Sequence, residues 1–162
     1  LHSIILSIGG IPLIYLNDET GVLNDYSFRE DPAKGHDSRW VHRPAADWAR
    51  TELRFQPDTV EGRLFAGLQR AISMRKSNPV FTGGEFQWVD AGNAHVFAFL
   101  RTHAGERALI LANFSEQSQP ISENLLRLYG LGYRFRDLLS GQVIPVGDIS
   151  LSAYQILCLQ AE

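Results

Sequence analysis

Hydrophobic positions follow three different rules along this chain. From Gly9 to Leu16 they are almost continuous, Gly-Gly-Ile-Pro-Leu-Ile-Tyr-Leu. That is the pattern of a strand covered on both faces, as in a parallel sheet. Pro12 fits such a strand only near its start, where no ladder donor is needed. Residues 17–57 then show no sustained period and carry breakers at Gly21, Pro32, Gly35 and Pro44. A connection of roughly 40 residues far exceeds ordinary loops and marks a functional or disordered segment. Trp40 and Trp48 favour the ordered, functional case. Over 59–76, Val60, Leu64, Leu68 and Ile72 recur every four residues, with Phe65 and Ala71 widening the stripe. This spacing predicts an amphipathic helix. Asp58 and Glu61 suit a capping box, Arg75 and Lys76 suit the last turn, and Asn78-Pro79 stops it.

From Val80 the period shortens. Strands are predicted over 85–89, 94–101 and 108–113, separated by turns at Asp90–Asn93 and His103–Glu106. Later candidates are 133–137, 142–146 and 154–159, with Ser140-Gly141 as a tight turn. Phe97, Phe99, Leu109 and Leu111 alternate on neighbouring strands and are expected on one inner face. The expected fold class is therefore α+β: a βα unit over 1–79, then an antiparallel β-sandwich over 80–162. The apolar opening, Leu1 to Ile8, is expected to be the end of a helix.

Composition narrows the possibilities. Fifteen basic and 18 acidic residues give a net charge of −3 without blocks of one sign, which argues against nucleic acid as a partner. A membrane span needs roughly 20 apolar residues in a row, and no run approaches that. The opening residues lack a basic leader and a cleavage site, and there is no initiating Met. The chain is thus expected to begin within a longer protein. One cysteine excludes an internal disulfide; Cys158, in an apolar run, is expected to be a buried inert thiol. A single cysteine and no leader favour the cytoplasm.

The stretch Gly9-Gly-Ile-Pro-Leu-Ile-Tyr-Leu-Asn-Asp-Glu-Thr-Gly21 resembles the G-x-P-x-x-Y-x-G-D-E-x-G segment at the eighth barrel strand of the α-amylase family. Gly21-Val-Leu-Asn-Asp and Asp37-Ser-Arg-Trp-Val-His-Arg-Pro44 are similar to the loop that follows this strand in amylosucrases and related sucrose hydrolases. Met74-Arg-Lys-Ser-Asn-Pro79 and Ala112-Asn-Phe-Ser-Glu116 fit the same relatives. The resemblance runs over nearly the whole chain. It implies that 1–79 is the last βα unit of a (β/α)8 TIM barrel and that 80–162 is the C-terminal β domain. One departure stands out: Asn17 occupies the place of a family glycine, and Asn tolerates the left-handed backbone that such a turn requires.

The resemblance also implies where the chemistry lies. Retaining glycosidases use two carboxyl groups about 5–5.5 Å apart, and in this family they sit on earlier barrel strands, together with a third, stabilising Asp. No catalytic residue is therefore expected in this segment, which would be inactive alone, and no cofactor is implied. Barrel sites are built from the loops after the strands, so residues 17–57 would form one wall. The residue implied to bind substrate is Arg39, which in the amylosucrase-like group pairs with an acid from another loop and closes the glucose pocket. Its planar fork suits that task. The alternative is a surface Arg paired locally with Asp37. Asp18 and Glu19 are expected to support the pocket rather than to catalyse, because neighbours on a strand face opposite ways. Asp37 and Trp40 are further support. Trp40 and Trp48 either stack on sugar rings or pin the loop, and Trp88 belongs to the core or to a surface sugar patch. His36 and His42 flank Arg39 without the further ligands that a metal site needs.

The implied parent enzyme takes a glucosyl unit from sucrose or a related α-glucoside by double displacement and passes it to a glucan or to water. Two other readings remain: an autonomous carbohydrate-binding or scaffold module, and another branch such as a trehalose synthase or oligoglucosidase. An isolated strand at 9–16 would have unpaired backbone groups, so self-association of the segment is expected if it is stable alone.

Overall fold

The computed structural model describes residues 1–129, 134–145 and 147–162. By contacts the chain divides into two compact units, Leu1–Pro12 with Arg70–Glu162, and Leu13–Gln69.

The first unit is built on a six-stranded antiparallel sheet. Its strands are β1 (Glu85–Trp88), β2 (Val96–His103), β3 (Glu106–Asn113), β5 (Phe135–Asp137), β6 (Val143–Ile144) and β8 (Ile156–Ala161), in the order β1-β2-β3-β8-β5-β6. A second ribbon pairs β4 (Gln119–Ile121) with β7 (Ile149–Leu151). The expected strands at 133–137 and 142–146 each have one end, Tyr133 and Val146, outside the described residues. The hairpin at His103–Glu106 forms as expected: Ala104 (φ 52°) and Gly105 (φ 82°) are both left-handed and His103 pairs with Glu106. Two left-handed residues match the twist of the flanking strands.

That two-residue turn fixes the register, and the register overturns one expectation. Phe99 pairs with Ile110, and Leu100 with Leu109. Phe97 and Phe99 therefore lie on one face of the sheet while Leu109 and Leu111 lie on the other, since side chains alternate along a strand. Both faces are buried. Leu109, Leu111, Leu157 and Leu159 pack with Ile121, Ile149 and Leu151 of the small ribbon and with Leu125 and Leu126 of α4 (Glu123–Leu128). Phe99, Ala108, Ile110 and Cys158 pack with Met74, Val80 and Phe81, and Ile4 and Ile8 join them. The second core explains why β2, β3 and β8 read as continuous apolar runs rather than strict alternation.

Asn113 joins the two sheets. Its Nδ2 donates to the carbonyls of Gln117 (2.7 Å), Leu151 (3.2 Å) and Ser152 (2.9 Å), and its Oδ1 accepts from the amide and hydroxyl of Ser115, both at 2.8 Å. Asp137 on β5 fastens that strand to β8 and to the turn after it, accepting from the amides of Cys158 (2.9 Å) and Ser140 (3.0 Å). Burial pushes the Cys158 thiol up, with Asp137 adding to the shift, in keeping with an inert core thiol.

The opening helix α1 (His2–Ser7) is present. Its C-terminal carbonyls are taken by arginines: Arg75 donates to Leu6 O and Gly10 O, both at 2.7 Å, and Arg101 donates to Ile8 O (3.0 Å) and to Gly83 O. Cations at a helix C-terminus offset its partial negative charge. The expected strand at 9–16 does not form. Residues 11–15 have no regular structure, and Ile11 and Leu13 are 99% and 77% exposed. An apolar extended segment becomes a strand only when a neighbour takes its backbone groups. Among the described residues no strand lies in that position.

In the second unit, residues 13–69, order comes from short turns rather than periodic elements. Turns of 3-10 helix span Asp18–Thr20, Ser27–Glu30, Ser38–His42 and Leu53–Phe55, and α2 spans Trp48–Glu52. Four aspartates set the bends. Asp25, Asp31, Asp37 and Asp47 accept from the amides of Ser27 (2.8 Å), Ala33 (2.9 Å), Arg39 (3.0 Å) and Arg50 (2.9 Å). Short acidic side chains that bond the backbone two or three residues on are standard turn devices. The long helix, α3 (Val60–Ser77), begins in this unit. Its start is capped by Thr59, whose hydroxyl accepts from Gly62 N at 3.0 Å, not by Asp58. Glu61 instead meets Arg50 at 2.7 Å, and Arg50 also reaches Gly21 O at 3.4 Å. The expected capping box gives way to this ion pair, which ties the loop to the helix.

Candidate functional site

The residues singled out in the sequence lie between Tyr15 and Arg43, so the site is built from how that segment bends. Asn17 adopts φ 78°, ψ −7°, the left-handed conformation expected of it. Its carbonyl accepts from Thr20 N and Val22 N, both at 3.2 Å. The chain thereby reverses at the place where the resembled pattern has glycine. Asp18 and Glu19 follow on a 3-10 turn rather than on a strand end. The reason for separating them changes accordingly: successive residues of a 3-10 turn are about 120° apart, which still does not bring two carboxylates onto one bond.

The chain returns through Asp25, whose amide donates to Val41 O at 2.9 Å. This contact lays Asn24 beside His42, and His42 Nδ1 lies 3.0 Å from Asn24 Oδ1. Tyr15, Arg39, His42 and Arg43 line an open depression of about 450 Å³. A smaller one of about 80 Å³ adjoins it, sharing Tyr15 and His42 and including Asn17, Asp18 and Asn24.

Arg39 is held by Asp37. Its Nε donates to Oδ1 (2.8 Å) and Oδ2 (3.1 Å), Nη2 donates to Oδ2 (2.8 Å), and the Arg39 amide also donates to Oδ1. This is the local pairing that stood as the alternative for Arg39. It uses the Nε–Nη2 edge of the fork and leaves the Arg39 side chain 75% exposed. The hydrogen bonds and charge of Arg39 hold the Asp37 carboxyl down to about 2, and Asp37 in turn raises Arg39. Because the folded value lies below the unfolded one near 3.9, the pair's contribution is complete above about pH 5, shrinks as the pH falls through the folded value, and is gone only near pH 1. A carboxyl-carbon NMR titration of Asp37 should therefore show a midpoint near 2 in the folded chain. A midpoint at the ordinary aspartate value would contradict the pairing.

Trp40 is half-buried between cations, with Lys34 Nζ 5.1 Å and Arg43 Cζ 5.8 Å from its ring centroid. It pins the loop to itself. Trp48 is 75% exposed in this chain. Trp88 is exposed at the edge of the sheet, with Phe86 at 4.7 Å and Phe97 at 5.3 Å. Among the described residues no group of three or more His, Cys, Asp or Glu is placed to hold a metal ion. Among the described residues no helix is long and apolar enough to cross a membrane. Sequence reasoning missed Asn24 as a partner of His42, and nothing in the spacing of 18 residues signals it. It also missed the Arg50–Glu61 pair.

Residues 86–157 match the family model for the Maltogenic Amylase, C-terminal domain. With the antiparallel architecture described above, this stretch is similar to the C-terminal β domain of such amylases. The chain is 28% identical to glucosylglycerate phosphorylase of Escherichia coli (strain K12), over 98% of its own length and 27% of that protein. It is 27% identical to trehalose synthase of Thermus thermophilus, over 81% of its length and 16% of that protein. It therefore spans about a quarter or less of the curated relatives it matches. Among solved structures, an Anoxybacillus α-amylase superposes with a TM-score of 0.70 at 21% identity, covering 99% of this chain and 31% of that one. The trehalulose synthase MutB from Pseudomonas mesoacidophila MX-45 gives 0.66 at 18% identity, covering 99% and 37%. These likenesses establish the fold.

Proposed function

We propose that the chain is the closing part of an α-amylase-type enzyme of the amylosucrase-like branch. In this reading, residues 1–79 complete a (β/α)8 barrel and 80–162 form its C-terminal domain. The enzyme takes a glucosyl unit from sucrose or a related α-glucoside, holds it covalently on a carboxylate supplied elsewhere in the barrel, and passes it to a glucan or to water. The chain contributes wall, not reactive groups.

The observation that carries this reading is Arg39. A guanidinium gripped along one edge by Asp37 and lining an open depression is an oriented but incompletely used fork. No hydrogen bond from its Nη1 edge is present among the described residues, so that edge suits a second carboxylate at the end of a glucose pocket. The exposed Ile11, Leu13, Tyr15 and Leu16 support the same reading, since they are what an inner barrel strand would present without its neighbours. Asp37 orients Arg39, Trp40 steadies the loop, Asp18 lines the adjoining recess, and Glu19 belongs to the turn that shapes it. A second reading, a trehalose synthase or an oligoglucosidase, draws on the trehalose synthase likeness. It keeps fold and mechanism and changes the donor.

The test is an assay of the full-length enzyme on sucrose, with and without glycogen. Release of fructose in excess of free glucose, with growth of the glycogen chains, is the expected result. Turnover of trehalose or an isomaltoside but not of sucrose would favour the second reading. No turnover of any α-glucoside would overturn both.

A further inference from the structure

A pyranose offers hydroxyls that both give and take hydrogen bonds, so a wall that binds one needs acceptors as well as donors. The depression at Tyr15, Arg39, His42 and Arg43 is unbalanced in this respect. Its two guanidinium groups are donors only, because arginine has no acceptor. The acceptors left are the Tyr15 hydroxyl and whichever nitrogen of the His42 ring lacks a proton.

The Asn24 contact favours one of them: a carbonyl oxygen only accepts, so Oδ1 at 3.0 Å is matched by the tautomer with its proton on His42 Nδ1. In the neutral ring, Nε2 then carries the lone pair. The hydrogen bond from Asp25 N to Val41 O holds the two segments in the alignment that makes this contact. His42 also lies where the two recesses meet, since it lines both. We propose that His42 accepts, through Nε2, a hydrogen bond from a hydroxyl of the glucosyl unit bound against Arg39 and Arg43, and that Asn24 is the positioning residue that sets its tautomer. This rests on the glucoside reading above and adds a substrate contact to it.

The test separates acceptor from donor at one position, in the full-length enzyme with saturation kinetics on its α-glucoside donor. His42→Gln keeps an acceptor oxygen, His42→Lys supplies donors only, and His42→Ala supplies neither. The loss of one neutral hydrogen bond is about a tenfold rise in KM, expected for His42→Ala and His42→Lys with kcat within about twofold. His42→Gln should stay within about threefold of the parent value. Asn24→Ala should raise KM a few-fold, and less than His42→Ala, because it frees the tautomer without removing the ring. Equal KM values for the Gln and Lys variants would overturn the proposal. So would an unchanged KM in all of them, or a parallel fall of kcat and thermal stability that marks a merely structural role. If the parent enzyme is inactive on every α-glucoside, the functional reading fails instead, and this contact fails with it.

Discussion

Replacing Arg39 with alanine in the full-length enzyme is expected to lower kcat/KM for its α-glucoside donor about a hundredfold or more. The pair is exposed in this chain, and in the proposed pocket it would be covered by the rest of the barrel, where truncating one partner leaves the other charge unpaired and lowers binding strongly. Two carboxylates would be orphaned here: Asp37, which takes three side-chain hydrogen bonds from Arg39, and the proposed acid across the pocket. Arg39→Lys should recover only part of the loss, because an ammonium is a point charge and cannot serve two edges of a fork. Asp37→Asn should fall between them, since the amide removes the charge but leaves an acceptor for Arg39. Steady-state kinetics on the three variants check this. An Arg39→Ala enzyme within about threefold of the parent would place Arg39 at the surface, paired with Asp37 and nothing more.

The largest effect on stability is expected at Phe99. Its side chain is fully buried, stacks on Phe86 with ring centroids 5.2 Å apart, and meets Phe97 at 5.6 Å. It belongs to the core that includes Met74, Phe81 and Ile110. Phe99→Ala should cost about 3–5 kcal/mol, the sum of lost transfer energy and the cavity left in a close-packed interior. Phe99→Leu should cost far less, and Phe114→Ala, at an exposed ring on the same face, should be nearly neutral. Equilibrium urea unfolding measures all three. A loss below about 1 kcal/mol for Phe99→Ala would mean that this face of the sheet is not a core.

How far the sequence carried depended on what each element needed from elsewhere. Residues 60–77 announce a helix because four apolar positions at helical spacing are bounded by Thr59 and by Asn78-Pro79, so everything required is local. The His103–Glu106 hairpin is local in the same sense. The β4–β7 ribbon and α4 were not legible: three- and six-residue elements are too short to display a period, and Pro120 sits in the middle of β4. The pattern at Gly9–Leu16 is not realised as a strand in this chain for the opposite reason. Its apolar run describes what a strand would bury, while strand formation depends on partners that the run cannot supply. The faces of Phe97 and Leu109 were also misassigned, because alternation within a strand is local but register between strands is set by the turn.

At the candidate site, the turn at Asn17 followed from the resemblance and from the tolerance of Asn for left-handed backbone, and the Asp37–Arg39 pair stood as the alternative reading of Arg39. The aspartates at 25, 31, 37 and 47 carried a signal that went unused, since each precedes by two or three residues the amide it binds. The contacts of Asn24 with His42 and of Arg50 with Glu61 join residues 18 and 11 apart in an aperiodic loop. Only the folded loop shows them.

A crystal structure of the full-length enzyme with glucose bound tests the central claim most directly. The expected result places the Nη1 edge of Arg39 about 2.8 Å from a carboxylate of another barrel loop, at the closed end of the sugar pocket. Arg39 facing solvent, bonded to Asp37 alone and remote from the glucose, would contradict it.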